Sequence, residues 1–258
     1  MDNLNIQNNS NMTPIMKSSK VVAFLVLGGA IVLSSIIASF AFYKIRSFDD
    51  SLSVTGSAKQ EIVSDTVTWN SGFSRIVTMD SLKYGYSQIS SDEKVVRDYL
   101  IKNGVAETDF TISPVTMNEI FDYKPNGDQG DKKYNLSQSV ILNSKDVEKV
   151  TSLAKNAPQE IVSRGVIFTS YGLNYYYSKL PDLRVSLLSG AIKDAKARAE
   201  SIAGASGKKV GQLKSASSGV VQVMPLNSVE VNDYGSYDTG EIKKEVMVTV
   251  KAALTLRS

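Results

Sequence analysis

The sequence predicts an α+β domain of antiparallel sheets packed with helices, preceded by one N-terminal transmembrane helix. Three observations predict it. Segments rich in Val, Ile, Thr and Tyr alternate apolar with polar residues, the period of a half-buried strand, and they lie between segments with apolar steps of three and four. Strands and helices are partly segregated along the chain, which favours antiparallel sheet over regular βαβ units. Near the start, Val21–Tyr43 runs without a single charge.

The elements follow in order. Residues 1–20 are rich in Asn and Ser ("NIQNNSNM"), too polar to offset the entropy of ordering, and are expected to be a disordered cytoplasmic tail. Residues 21–43, "VVAFLVLGGAIVLSSIIASFAFY", are long enough to cross the roughly 30 Å hydrocarbon core at about 1.5 Å per residue. Tyr43 sits where an interfacial aromatic belongs. The small residues Ser39–Ala41 offer a cleavage site, but the apolar run exceeds the roughly 7 to 15 residues of a cleaved signal. A retained signal anchor is therefore the expectation. Lys17 and Lys20 before it balance Lys44 and Arg46 after it, so charge leaves orientation open. A short tail kept in the cytoplasm is the simpler topology, and it puts residues 52–258 outside, behind a linker at 44–51. Ala30, Ser34 and Ala38 recur every fourth residue, a spacing that lets membrane helices approach closely. The same residues are also common in membrane helices that associate with nothing.

Leu52–Val63 and Asp65–Val77 alternate around Ser64-Asp65 and read as a hairpin. Residues 79–103 carry a helical apolar set closing at "KNG", where Gly104 fits a C-terminal cap. "FTISPVTMNEIFDY" and "KKYNLSQSVILN" read as two strands joined by "KPNGDQGD", and Val147–Ala157 as a helix. "GVIFTSYGLNYYYS" is then a strand. A long helix follows, with Pro181 and Asp182 in its first turn. Its apolar face is expected to be Val185, Leu188, Ala191, Ile192, Ala195, Ala199, Ile202 and Ala203, with Asp194 and Arg198 paired on the other side. Gly207 ends it. "VGQLKSASSGVVQVMPL", a loop and the strand "EVMVTVKAALTLRS" close the chain.

Composition excludes more than it suggests. Across 258 residues, 29 Lys+Arg against 26 Asp+Glu leave +3, too thin a field for a nucleic-acid partner. The chain has neither histidine nor cysteine, which removes the usual general base, thiolate nucleophiles, Ser-His-Asp arrangements and His- or Cys-ligated metals. No catalytic residue, cofactor or metal site is expected.

Four blocks resemble the SIMPL domain family of bacterial periplasmic and membrane-anchored proteins. "LSVTGSAKQEIVSDTVTW" is similar to its opening V-x-G strand, with an acidic residue, here Asp65, before the second strand. "LIKNGVAETDFTISPV" is similar to its turn into a strand. "AIKDAKARAESIAGASGKKVGQL" resembles its A-x(2)-D-A-x-x-R-A helix and is the most specific part. "DTGEIKKEVMVTVKAALTL" resembles its closing strand, with Thr239 where the family often has proline. Together they cover Leu52–Leu256. The resemblance implies an extracytoplasmic domain that tends to oligomerise, loosely linked to envelope or oxidative stress. It carries over no catalytic residue.

Two further features bear on partners. Tyr171, Tyr175, Tyr176 and Tyr177 fall in one strand, with Tyr175 and Tyr177 on one face and Tyr176 on the other. Such rings suit a protein interface, and equally the packing of a sheet. Asp122, Asp128 and Asp131 lack the spacing of a calcium loop and read as an ordinary hairpin connection. The expected role is a non-catalytic, homo-oligomeric assembly module of the cell envelope with an envelope protein partner; the alternative is a small-molecule or peptide-binding module beside Tyr175–Tyr177.

Overall fold

The computed structural model describes residues 15–47, 50–121, 132–228 and 232–257. Helix α1 (Ile15–Ser47) contains a span, Val21–Ile45, with mean hydropathy 2.6 and every residue exposed. A helix that is apolar all round belongs in a protein core or a membrane, and this one is long and apolar enough to cross a membrane. It takes in residues 15–20 of the expected tail and 44–47 of the expected linker, while the tail up to residue 14 lies outside the described residues, as do Asp122, Asp128 and Asp131.

The other elements are β1 (Ser51–Val63), β2 (Thr66–Thr78), α2 (Leu82–Lys102), β3 (Phe110–Ile112), β4 (Thr116–Ile120), β5 (Lys133–Ser144), α3 (Val147–Val162), β6 (Ile167–Tyr176), α4 (Leu180–Ala205), β7 (Lys209–Pro225), β8 (Ser236–Tyr237) and β9 (Lys243–Arg257). Two compact units divide them: Val54–Arg198 with Ala216–Ala252, and Met1–Ser53 with Ala199–Ser215 and Ala253–Ser258.

Within the larger unit, β2-α2-β3/β4-β5-α3-β6 forms a β-α-β-β-α-β arrangement of ferredoxin-like type. Its antiparallel sheet runs β6-β2-β5, and β3 and β4 lie end to end along the far edge of β5. The sequence suggests one strand there; Pro114, which has no N–H for the ladder, breaks it in two. Helices α2 and α3 both pack on one face. That face is built by alternation: Val67, Trp69, Phe73 and Val77 of β2 and Leu136, Val140 and Leu142 of β5 are all buried there. Trp69 meets Phe168 edge-on at 6.0 Å, and its indole N–H donates to Ser170 Oγ at 2.9 Å, so the largest core side chain leaves no orphan donor. Helix α2 ends at an Asn103 cap followed by Gly104 at φ 74°, as its glycine suggests. Asp146 caps α3 by accepting from Lys149 N–H at 3.1 Å. Helix α3 continues through Pro158 beyond the expected Ala157, because buried Ile161 extends its apolar face and offsets the bond that proline forfeits.

The second sheet of four strands runs β1-β9-β7-β8. So β1 and β2 are not the hairpin their sequence suggests. The chain changes sheets at Ser64-Asp65, where Ser64 N–H donates to Ile242 O at 2.8 Å rather than to β2. Strand β2 has its large side chains under α2 and α3, whereas β1 puts Gly56 and Ile62 toward α4. Ile62, Leu183, Leu187, Val223, Val246 and Val248 form this second core.

Helix α4 buries Leu183, Leu187, Ala191, Ala195, Ala199 and Ala203, a strict four-residue step. Val185, Ile192 and Ile202, expected on that face, are exposed at 69%, 39% and 51%. A stripe of one alanine per turn is narrower than the three-and-four pattern, because the strand beneath comes so near that larger side chains do not fit. Asp194 is not on the solvent side either. It is half-buried, and its Oδ2 accepts from Ser57 N–H and from Arg198 Nε, both at 2.8 Å, tying helix to strand.

The smaller unit holds α1, the last turns of α4 and the outer ends of β1, β7 and β9. There Leu256 N–H donates to Asp50 O at 2.9 Å, Lys208 pairs with Asp50 at 3.2 Å, and Gln212 N–H donates to Thr255 Oγ1 at 2.9 Å.

Candidate functional site

The tyrosine segment, β6 with its neighbours, is where the chain concentrates polar and aromatic groups. Its four tyrosines occupy different environments. Tyr175 is core: only 6% is exposed, and its hydroxyl meets Thr151 Oγ1 at 3.0 Å. Tyr177 lies past the end of β6 and packs half-buried against the α4 core. Tyr176 points to the other face and leans on Tyr237, ring centres 6.1 Å apart. Tyr171 is 69% exposed. An interface here would be made by Tyr171 and Tyr176. Ala30, Ser34 and Ala38 are exposed along α1, and Ser34 satisfies its hydroxyl within the helix by donating to Ile31 O at 2.9 Å.

Beside β6 runs a strap, residues 232–241, that joins the two sheets of the larger unit. On one side Asp238 N–H donates to Val223 O at 2.9 Å, and Ser236 Oγ donates to Gln222 Oε1 at 2.8 Å. On the other, Thr239 O accepts from Tyr175 N–H at 2.8 Å and Thr239 Oγ1 donates to Asn174 Oδ1 at 3.0 Å. The Asp238 carboxylate closes the turn by accepting from Gly240 and Glu241 N–H.

Lys244 fastens the strap from below. Its side chain is 1% exposed, and its Nζ donates to Tyr175 O and to Asp238 O, each at 2.6 Å, under the Tyr237 ring. Burial pushes its ammonium below the usual lysine range against the pull of Asp238 and Glu241. Sequence reading passed over this lysine, yet a signal existed: Lys244 is in phase with Val246, Val248 and Val250, the buried side of β9. Next to the strap is a cavity of about 720 Å³ lined by Met224, Asn232, Tyr234, Ser236, Tyr237 and Asp238. Among the described residues no three carboxylates gather at a point that would hold a cation.

Asp65, singled out before the second strand, lies at the crossing between sheets. Its carboxylate accepts from Ser178 N–H at 2.8 Å, from Ser178 Oγ at 2.7 Å and from Thr66 Oγ1 at 3.2 Å. Partial burial pushes its pKa up, but the Ser178 hydroxyl and N–H with the Thr66 hydroxyl outweigh that and hold it below the ordinary 3.8. A carboxyl with a depressed folded pKa adds stability that is complete above 3.8 and disappears as pH falls through the folded value. Asp65→Asn is therefore expected to melt lower than wild type at neutral pH. The gap should close as melts are repeated at successively lower pH below 3.8; a gap constant with pH would assign the loss to packing alone.

Residues 52–253 match the SIMPL family model, described as a protein of unknown function (DUF541). A search of curated protein sequences finds no match to the chain. The match spans both sheets, the α4 stripe, Asp65 and the strap, and on it the chain belongs to the SIMPL family.

Proposed function

We propose that this chain is a non-catalytic assembly module of the cell envelope, held by α1 as a single-pass anchor in the cytoplasmic membrane with its SIMPL domain on the extracytoplasmic side. The observation that carries it is the edge of β7. Strand β8 meets β7 only at Gln222 and Val223, and residues 212–220 are exposed on both faces. An open strand edge is a template for another strand, and along Ala216–Gly219 it holds small residues that let a second backbone approach. Self-association through such edges suits the oligomeric, stress-linked role that the family resemblance implies, with an envelope protein as a further partner.

Light scattering on the full chain in detergent, coupled to size exclusion, tests this. A defined oligomer is expected, and Ser217→Pro, which removes a ladder N–H, should reduce it to smaller species. A strict monomer at working concentration would remove the reading. The cavity beside Tyr237 and Asp238 favours a second reading, a small-molecule or peptide-binding envelope module.

A further inference from the structure

Among the described residues, the five-stranded sheet carries helices on one face only, and its other face is unusual in chemistry. Registers place its side chains in rows. Thr68 lies between Asn143 and Asn174, Gly72 between Ser139 and Thr169, and Ser74 between Ser137 and Ile167. Asn70 and Asn135 are on the same side by alternation. Among the described residues, no charged side chain stands on this face between Thr66 and Ile76 of β2 or between Asn135 and Asn143 of β5. In a chain that is 21% charged, that is a departure. The face offers amides and hydroxyls, with Ile76, Ile141 and Ile167 as apolar ground among them.

An aromatic ring is seated on this grid. The β2–β6 register shifts between Asn70 and Ser71, so Tyr171 is the extra residue of a bulge, followed by Gly172 at φ 138°. Bulges re-aim side chains, and this one lays Tyr171 over Gly72. The ring's Cε2 and Oη each lie 3.1 Å from the point that a Cβ on Gly72 would occupy, so the missing side chain makes the seat. Gly72 is buried beneath it while the ring stays exposed. Five residues on, roughly 16 Å along the strand, Tyr176 leans on Tyr237 and gives the face a second aromatic station.

We infer that this open face binds a neutral polysaccharide chain, one whose sugars carry hydroxyl or N-acetyl groups. A sugar ring presents C–H bonds to an aromatic plane and hydroxyls or amides at its rim, which this surface answers with Tyr171 and the surrounding Asn, Ser and Thr side chains. Nucleic acid would need cations spaced along the strands, and between Asn135 and Asn143 of β5 the face has none. A protein interface centres on a continuous apolar core, and here the isoleucines are separated by polar rows.

The test uses the full chain in a zwitterionic detergent, since sugar-headed detergents would compete. Titration calorimetry with the hexamers of N-acetylglucosamine and of β-1,4-linked glucose, and with single-stranded DNA and a polyanionic glycan as controls, is the measurement. Saturable binding to at least one neutral hexamer is expected, weakened about tenfold in Tyr171→Ala, the equivalent of one good ring contact. A second variant, Ser139→Lys, adds a charge at an exposed site and should weaken the same binding while leaving the melt unchanged. No binding to either hexamer overturns the inference. So does binding that both variants leave intact, binding to the polyanions alone, or a change of oligomer size without any glycan binding, which would make this a self-association face. Glycan binding by a chain that is monomeric would leave the inference standing while removing the assembly reading.

Discussion

Gly56→Ala is expected to destabilise the domain by about 3 kcal/mol, as a sharp drop in urea midpoint with unchanged m-value. A Cβ at Gly56 would lie 2.2 Å from Ala191 O, 2.3 Å from Ala195 N and 2.7 Å from Ala195 Cα. All three are backbone atoms of α4, so no side-chain rotation relieves the clash. The strand must retreat from the helix, opening the contacts of the alanine stripe and stretching the Asp194–Ser57 bond. Gly204→Ala on the same helix is the control, since nothing lies within 4 Å of its Cβ position. That change should be neutral or stabilise by up to about 1 kcal/mol through helix propensity. If both glycines tolerate alanine equally, the close approach of β1 to α4 is wrong.

Asp92→Ala is expected to cost about 3 kcal/mol. Asp92 lies buried on α2, where Oδ2 accepts from Arg75 Nε at 2.6 Å and Oδ1 from Arg75 Nη2 at 2.7 Å, a two-point pair. Arg75 also donates to Gly165 O at 2.9 Å, so one guanidinium holds α2, β2 and the turn after α3. Removing the acid leaves a cation only 24% exposed without its counter-charge. Replacing both partners, as in Arg75→Met with Asp92→Leu, should recover much of the loss, because neither charge then needs compensation. A double variant as unstable as Asp92→Ala would show that packing, not charge, is at stake. High salt should narrow the deficit little, since the pair is sheltered from counterions.

The two kinds of information in the sequence were not equally readable. Periodicity marks β5, β9 and α2 plainly because each has one buried face, so local pattern and tertiary burial coincide. It misleads for β1 and β2. A short turn between alternating segments usually makes a hairpin, and whether strands pair or part at Ser64-Asp65 depends on which helices cover them, a non-local fact. It misleads again on α4. Val185 and Ile202 fit a helical face by spacing, but the nearness of Gly56 selects alanine over larger side chains, so hydrophobicity alone points to the wrong residues. At the strap, Lys244 reads as one more surface lysine, and only its phase with Val246 and Val248 hints otherwise. Tyr171 was visible as a tyrosine, but its posture was not, because it depends on a bulge in β6 and a missing side chain on β2.

The pairing of β1 with β9 also bears on tension. Lys59 meets Glu245 at 3.0 Å and Ser64 N–H reaches Ile242 O, so the two strands run in opposite directions. A pull applied at Ser51 along the axis of β1 would load these rungs lengthwise. Rungs pulled lengthwise share the load and must give together, rather than opening one at a time like a zipper. Antiparallel pairing thereby lets β1 hold against an axial pull.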